Sequence, residues 1–316
     1  MINIATLTLN PALDRSMIFE TFEVGALNRA ISAVTTVGGK GINVSRVLKL
    51  YGINSVAYGF VGGDNGEIMK KMLQNEGVSY DFVQTAAQTR MNIKIVAKNG
   101  EATEASESGG PMTESETQEL LKNIYDCFCG KRGTKPDYFV ISGSIPRGID
   151  SSIYKTITQK AKTHGIKVVM DCDRDALKQG ITACPFIIKP NKFELEQYAG
   201  HTFENENELI SYACELSTEF EVKIVLTLGE KGAMYIGNDG VYKVNAPKVE
   251  MRGFTGAGDS FLAAFIATYD NIGDPAESLR HAASFSAAKV ELEGTMLPLK
   301  EDMTKYIDII KSEKLR

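Results

Sequence analysis

Cysteine is sparse in this sequence: Cys127, Cys129, Cys172, Cys184 and Cys214 are scattered along 316 residues. An odd count with no Cys-x-x-Cys pair excludes a cysteine zinc site and a thioredoxin-like motif, and leaves reduced thiols in or near a core. A surplus of positive charge is missing too, since 35 lysines and arginines face 40 acidic residues for a net charge of −5. Sequence-independent nucleic-acid binding needs excess cations to displace counterions, so no nucleic-acid partner is expected. An anionic ligand must be held by a few placed groups rather than by the overall field. No apolar stretch approaches membrane-spanning length, and the N-terminal residues lack a basic segment leading into an apolar one with a cleavage site. A cytoplasmic location with no membrane partner is the expectation. Repeats, low-complexity tracts and long linkers are absent as well.

What is present suits a large α/β unit. With 43% hydrophobic and 24% charged residues the composition is that of a globular protein. A chain of this length buries about three-quarters of its unfolded surface without needing a disulfide or metal staple. Four short apolar runs end in polar or glycine-bearing clusters: Tyr138 to Ser144, Ile166 to Asp173, Phe186 to Asn191 and Val222 to Gly229. Apolar on both faces and rich in β-branched residues, they suit central strands of a parallel sheet. Helical patterns at Ser151 to His164 and Phe193 to Phe220 complete the alternation of a doubly wound α/β structure. Ligands sit beyond the carboxyl ends of such strands, and those ends carry Ser142, Ser144, Asp171, Asp173, Lys189, Asn191, Thr227 and Gly229. Together they resemble a polyphosphate or sugar site; singly, each is equally a strand-ending turn residue.

The beginning of the chain reads differently. After a strand at Ile2 to Leu9, the segments Ser16 to Phe22, Ala30 to Val37 and Met91 to Ala97 look extended, and Asn99-Gly100 is a hairpin turn signature. These pieces form a small antiparallel flap, built from segments of about 12–37 and 88–106, beside the main sheet. Its apolar residues Met17, Ile18, Phe19, Phe22 and Ile93 must cover either an active site or a second subunit.

Three motifs carry chemistry. Gly38-Gly-Lys-Gly-Ile-Asn-Val-Ser-Arg46 opens a helical pattern, so backbone N–H groups, Lys40 and Asn43 could meet an anionic or hydroxyl-rich ligand. It is not a Walker A loop, because Gly41 follows the lysine. Taken alone, a glycine-rich strand-to-helix turn is more often structural. Thr255-Gly-Ala-Gly-Asp-Ser-Phe261 precedes a second apolar helix, where Gly256, Ala257 and Gly258 would expose N–H groups to a developing negative charge. Asp259, in the first turn, is placed either to accept a proton or simply to cap, and the helix N-terminus favours its ionised form. In Lys189-Pro-Asn-Lys-Phe-Glu194, an amine for phosphates stands near a carboxylate suited to hydrated magnesium, although Asn191 with Glu194 also reads as a capping box.

The paired glycine motifs resemble the signatures of the ribokinase-like (phosphofructokinase B) carbohydrate kinases. The other pieces fall in that family's order over essentially the whole chain: Asn10 to Asp14, the flap, Ser142 to Pro146, Asn191-x-x-Glu194 and Thr227 to Gly232. The resemblance implies a single ribokinase-like domain over residues 1–316, its mainly parallel sheet flanked by helices and carrying a β-lid that often clasps a homodimer. It implies ATP and Mg2+ as cofactors, Asp259 as general base, and Gly256, Ala257 and Gly258 as an anion hole. Asp14, Gly38, Gly39, Asn43 and Ser142 would bind the sugar, with Lys40, Arg90 and Arg29 near its own phosphate. Lys189, Asn191, Thr227, Gly229 and Gly232 would hold ATP, and Glu194 would act on magnesium through water. The first motifs are most similar to the branch acting on fructose 1-phosphate, with tagatose 6-phosphate kinases as the nearest alternative. A non-catalytic nucleotide or sugar sensor on the same fold is the rival from another class, and it has no need of Asp259. Gly253-Phe254 departs from the small polar pair usual in relatives, which bears on the shape of the anion-hole loop and on any monovalent-cation dependence.

Overall fold

The computed structural model describes residues 2–98, 102–253 and 255–316. Strand β1 (Ile4–Thr8) leads into β2 (Ala12–Phe19) and β3 (Ser32–Gly38), then helix α1 (Lys40–Leu50), β4 (Ser55–Gly62), α2 (Gly63–Asn75) and β5 (Ser79–Thr85). Next come β6 (Arg90–Ala97), β7 (Ala102–Ser106), α3 (Glu114–Phe128), β8 (Tyr138–Ser142), α4 (Ile153–Thr163), β9 (Lys167–Asp171) and α5 (Arg174–Ile181). The short β10 (Ile187–Ile188) is followed by α6 (Lys192–Ala199), α7 (Glu206–Glu219), β11 (Lys223–Thr227), β12 (Ala233–Gly237) and β13 (Gly240–Val244). Two long helices, α8 (Ala257–Ile272) and α9 (Pro275–Val290), and strand β14 (Ser312–Lys314) follow.

The main sheet has the order β14-β13-β12-β11-β10-β9-β8-β1-β4-β5. From β11 across to β5 all neighbours are parallel, while β11 to β14 form an antiparallel edge. Side chains alternate faces along each strand, and this sorts the core into two layers. Ala5, Leu7, Phe139 and Ile141 pack with α3 to α7, whereas Ile4, Tyr138 and Val140 pack with α1, α8 and α9. Helix α8 is buried from Asp259 to Thr268, because α1, α9 and the sheet enclose it. Strand order turns around between β1 and β8, which opens a crevice at their carboxyl ends.

The small sheet, ordered β3-β2-β6-β7, is the expected lid. Two antiparallel pairs, β2 with β3 and β6 with β7, are joined by a parallel β2–β6 register that sets Asp14 beside Asn92. Strand β2 begins at Ala12, four residues before the extended run read from the sequence, and β7 is exposed throughout and carries no apolar signal. The anticipated Asn99-Gly100 turn lies outside the described residues. The apolar surface also differs from expectation. Phe19 is buried and Met17, Ile18, Phe22 and Ile93 are half-buried, while Val24, Leu27, Ile31 and Val34 stand exposed, Val24 at 96%.

Glycine 41 couples this frame to the cleft. A Cβ there would lie 2.7 Å from both Leu7 O and Thr8 Oγ1, and Thr8 Oγ1 accepts the Ile42 N–H at 3.1 Å. Gly41→Ala should push α1 off β1 at an overpacking cost of about 1–3 kcal/mol, read as a lower denaturation midpoint. Because Lys40 and Asn43 ride on the same turn, activity should fall by more than the folded fraction does.

Candidate active site

A cleft of about 1330 Å³ lies between the lid and the carboxyl ends of the parallel strands. Its size exceeds the roughly 300–1,000 Å³ usual for one small ligand and accommodates two side by side. Asp14, Gly39, Lys40, Asn43, Arg90, Lys189, Asn191, Glu194, Thr227, Gly229, Gly232 and Gly256 to Asp259 all line it. These residues come from far apart in the sequence, and the strand ends bring them to one edge.

At the cleft floor lies an ion cluster. Asp171, 1% exposed at the end of β9, accepts from Lys40 Nζ at 2.9 Å and faces Lys189 Nζ at 3.2 Å. Burial would raise the Asp171 pKa, but Lys189 and Lys40 hold it below the ordinary carboxylate range. Burial likewise opposes the charge on Lys40, and the carboxylates of Asp171, Glu194 and Asp259 outweigh it, so this lysine stays protonated. Lys40 is therefore committed to the ion cluster rather than to a remote phosphate. Lys189 also reaches the second glycine motif, since a Cβ on Gly258 would lie 3.4 Å from its Nζ.

Asp259 sits in the first turn of α8, 6% exposed, with Gly256 in the left-handed region at φ 78° before it. Its Oδ2 accepts from Asn43 Nδ2 at 2.8 Å. Asn43 thus holds the carboxylate rather than standing free for sugar hydroxyls, and its own Oδ1 accepts from Arg46 Nη1 at 3.3 Å. Asp259 is ionised at neutral pH as the helix N-terminus suggests, but it is a stronger base than a helix terminus alone would leave it. Burial, then the charge of Asp171, pushes its pKa up to about 6, against the pull of Lys40, Asn43 and Lys189. At neutral pH the carboxylate is mostly ionised yet basic enough to take a proton.

Glu194 and Asn191 form a reciprocal capping box at the start of α6, each backbone N–H accepted at 2.8 Å. That uses Glu194 Oε2 and leaves Oε1 3.8 Å from Lys40 Nζ. The capping and cleft-lining readings of this pair both hold. Gly232, at φ 98°, is required on the other wall, because a Cβ would fall 1.9 Å from Val244 O.

On the lid side, period-two alternation along β6 puts Arg90, Asn92 and Lys94 on the cleft face. Arg90 donates to Asn10 O at 3.1 and 3.2 Å, to Asn92 Oδ1 at 3.1 Å and to Glu107 O at 3.0 Å, which leaves one guanidinium N–H for a ligand. Asn92 Nδ2 donates to Asp14 Oδ1 at 2.8 Å. Lys94, 12% exposed, lies 3.9 Å from Asp14 Oδ2 and contacts Thr255 Oγ1. Asn92 and Lys94 were not among the anticipated site residues, and Asp171 was anticipated only as one of the polar strand ends. The polar-apolar alternation of Arg90 to Ile95 was the signal for both lid residues.

Three anticipated residues do not line the cleft. Ser142 is wholly buried and its Oγ has no partner among the described residues, and Ser144, beyond the turn at Gly143, faces the cleft and accepts from Asn10 Nδ2 at 3.2 Å. Gly38 stands behind Asp14, where a Cβ would come within 2.7 Å of its carboxyl group. Arg29 is exposed on the loop between β2 and β3. Gly253 donates its N–H to Val290 O at 3.1 Å, and Phe254 lies outside the described residues.

A glycine-lined helix N-terminus, two lysines paired on a buried carboxylate and a second carboxylate with a raised pKa, gathered beyond the ends of parallel strands, define a phosphotransferase of the α/β class. The chain belongs to the pfkB family of carbohydrate kinases, whose family model matches residues 7–302. It is 34% identical over 309 residues to the 1-phosphofructokinase of Borreliella burgdorferi, covering 98% of this chain and 95% of that one. The 1-phosphofructokinase of Bacillus subtilis is also 34% identical, over 84% of each chain. The structure of Escherichia coli phosphofructokinase-2 in complex with substrates and products superimposes with a TM-score of 0.91 at 26% identity, covering 98% of this chain and 99% of the other.

The ion cluster makes a testable claim about Asp259. Asp171→Asn removes the like charge that helps raise its pKa, so the acid limb of the kcat profile should move to lower pH. Stability should fall by about 3–5 kcal/mol, because two lysines lose a buried partner. An acid limb that stays in place or moves up would contradict this electrostatic account.

Proposed function

We propose that the chain transfers the γ-phosphoryl group of ATP to O6 of fructose 1-phosphate, giving ADP and fructose 1,6-bisphosphate. The observation that carries this reading is the placement of Asp259, a buried carboxylate poised near pH 6 at a glycine-lined helix N-terminus, with Lys40 and Lys189 alongside. The names of the relatives supply the acceptor.

In this reading Asp259 accepts the proton of the attacking hydroxyl as the bond to phosphorus forms. The N–H groups of Gly256, Ala257 and Gly258 hold the oxygens of the group in flight, and Lys40 and Lys189 neutralise them. Asn191, Thr227, Gly229 and Gly232 border the nucleotide. Asp14 and Asn92 receive the sugar hydroxyls, and the free N–H of Arg90 with the Ser144 hydroxyl receives the acceptor's own phosphate. Catalysis is then mostly positioning and charge stabilisation.

Magnesium is the implied metal, and the residues fit it in one way. Among the described residues no group of three or more acidic, histidine or cysteine side chains could hold a metal unaided. Glu194 Oε1, turned away from the cap, suits an ion held chiefly by nucleotide phosphates and touched through water. Bound there, Mg2+ would neutralise phosphate charge.

We also propose a homodimer through the lid. Val24, Leu27 and Ile31 on the loop between β2 and β3, with Val34 on the edge strand β3, are large apolar side chains left exposed on the lid. Sedimentation should give a dimer at micromolar concentration, and Leu27→Asp with Val24→Asp should give a monomer; a monomeric wild type would overturn this proposal.

For the reaction, ADP release should be fastest with fructose 1-phosphate among ketose monophosphates, with tagatose 6-phosphate the informative competitor. Asp259→Asn preserves size, and α8 has no side-chain cap hydrogen bond to lose, so a purely structural role would leave activity nearly unchanged. As the base, it should lower kcat by about 10²–10⁴ with both KM values little changed. A folded variant retaining more than about a tenth of the activity would sink the assignment.

A further inference from the structure

One cation beside the cleft has no part in the reaction as derived. Lys289, near the end of α9, is 0% exposed. Among the described residues its ammonium has a single hydrogen-bond partner, Gly294 O at 2.9 Å, and no carboxylate within ion-pair distance. A buried ammonium with so few partners is costly, and an aliphatic side chain of similar length would fill the space without that cost. Only an anionic group nearby can favour its charged form.

The space around Gly256 shows what that is. A Cβ on Gly256 would lie 3.6 Å from Asn43 Nδ2, 3.8 Å from Lys289 Cε and 3.9 Å from Asp259 Oδ2. The lysine stem, the asparagine amide and the carboxylate therefore converge behind the turn whose N–H groups face the cleft. The charged groups facing Lys289 are Lys94 from β6, Arg46 from α1 and Asp259 from α8. Lys94 and Arg46 repel the ammonium, and Asp259 attracts it. Arg46 is itself ion-paired to Glu76 at 2.6 Å, and Glu291, just beyond Lys289 in the chain, is paired with Lys305 at 2.7 Å.

We infer that Lys289 is a positioning residue, a tethered counter-charge that braces the Gly256 turn from behind and keeps the Asp259 carboxylate ionised for proton transfer. This rests on the reading of Asp259 as the base. Asn43 fixes the direction of the carboxylate by a hydrogen bond, and Lys289 fixes its charge through space. The two act on one group from different helices, α1 and α9. Burial, then Lys94 and Arg46, lowers the Lys289 pKa to about 8, so the counter-charge is present at neutral pH and lost in mild alkali. The sign follows: kcat rises as Asp259 ionises near pH 6 and falls as Lys289 loses its proton near pH 8.

The test compares the wild type with Lys289→Gln and Lys289→Met, in kcat and both KM values from pH 5 to about 10, a span that brackets both ionisations. Glutamine can still donate to Gly294 O but carries no charge; methionine does neither. Both variants should lose about tenfold or more in kcat at pH 7, with KM values within about threefold, as expected for an effect felt in the transition state. Their alkaline limb should vanish, and their acid limb should move to higher pH, because Asp259 has lost a cation. A glutamine variant with wild-type kcat and both limbs unmoved would overturn the inference and leave Lys289 a strut for Gly294. Should neither variant fold, the wild type decides, since a flat kcat between pH 7 and about 10 is incompatible with a lysine titrating in that window. Asp259→Asn separates the two claims: if it is silent the base itself is wrong, and if it is inactive while Lys289→Gln is normal only the counter-charge fails.

Discussion

Asp171 is the group on which the site depends. A carboxylate with 1% exposure survives as an anion only if cations come to it, and it draws Lys40 from α1 and Lys189 from the end of β10 to within 2.9 and 3.2 Å. This ties a helix on one face of the sheet to a strand end in its middle. It also fixes where two ammonium groups stand before any ligand arrives. Without the shared carboxylate, two lysines so close would repel and turn toward solvent. With it, they form a preorganised pair whose reorganisation cost has been met during folding.

The same anion acts on the proposed base. Asp259 feels burial and Asp171 pushing its pKa upward, and Lys40, Lys189 and Asn43 pulling it down. The balance near 6 is a compromise that neither a helix N-terminus nor a single ion pair would produce. A carboxylate stabilised only by the helix dipole would be a weak base; one merely buried would be protonated at neutral pH. Packing α8 between α1, α9 and the sheet therefore sets chemistry as well as stability.

Much of the architecture was legible in the sequence because its signals are local. Continuous apolar runs marked β8, β9 and β11, and the glycine motifs marked the starts of α1 and α8. The lid was legible in outline, yet no apolar run picked out its exposed Ala102–Ser106 strand, since small and polar residues carry no apolar alternation. The residues that surround the base were harder. That Asn43 bonds Asp259 across 216 positions, or that Lys40 turns to Asp171 instead of outward, is decided by which helix packs on which strand. Ser142 was misjudged for a simpler reason: the strand ends there with its hydroxyl inward, and the turn at Gly143, φ 97°, swings Ser144 to the cleft instead.

The charge balance explains how an acidic protein would manage two polyanionic ligands. Among the described residues six cationic side chains line the cleft, Lys40, Arg90, Lys94, Lys189, Lys231 and Lys248, against seven carboxylates, so these residues make no net positive basin. Long-range attraction therefore contributes little, and association is not steered by the field of the whole molecule. Selectivity must come from direction. Arg90 has one N–H left after binding three backbone or amide oxygens on the chain, and Asp14 has one oxygen left after accepting from Asn92. Groups already held in place by the chain accept a ligand from a narrow range of directions, and a ligand that misses them strands a desolvated charge. A site built this way trades speed of capture for discrimination between polyols that differ in the direction of a hydroxyl.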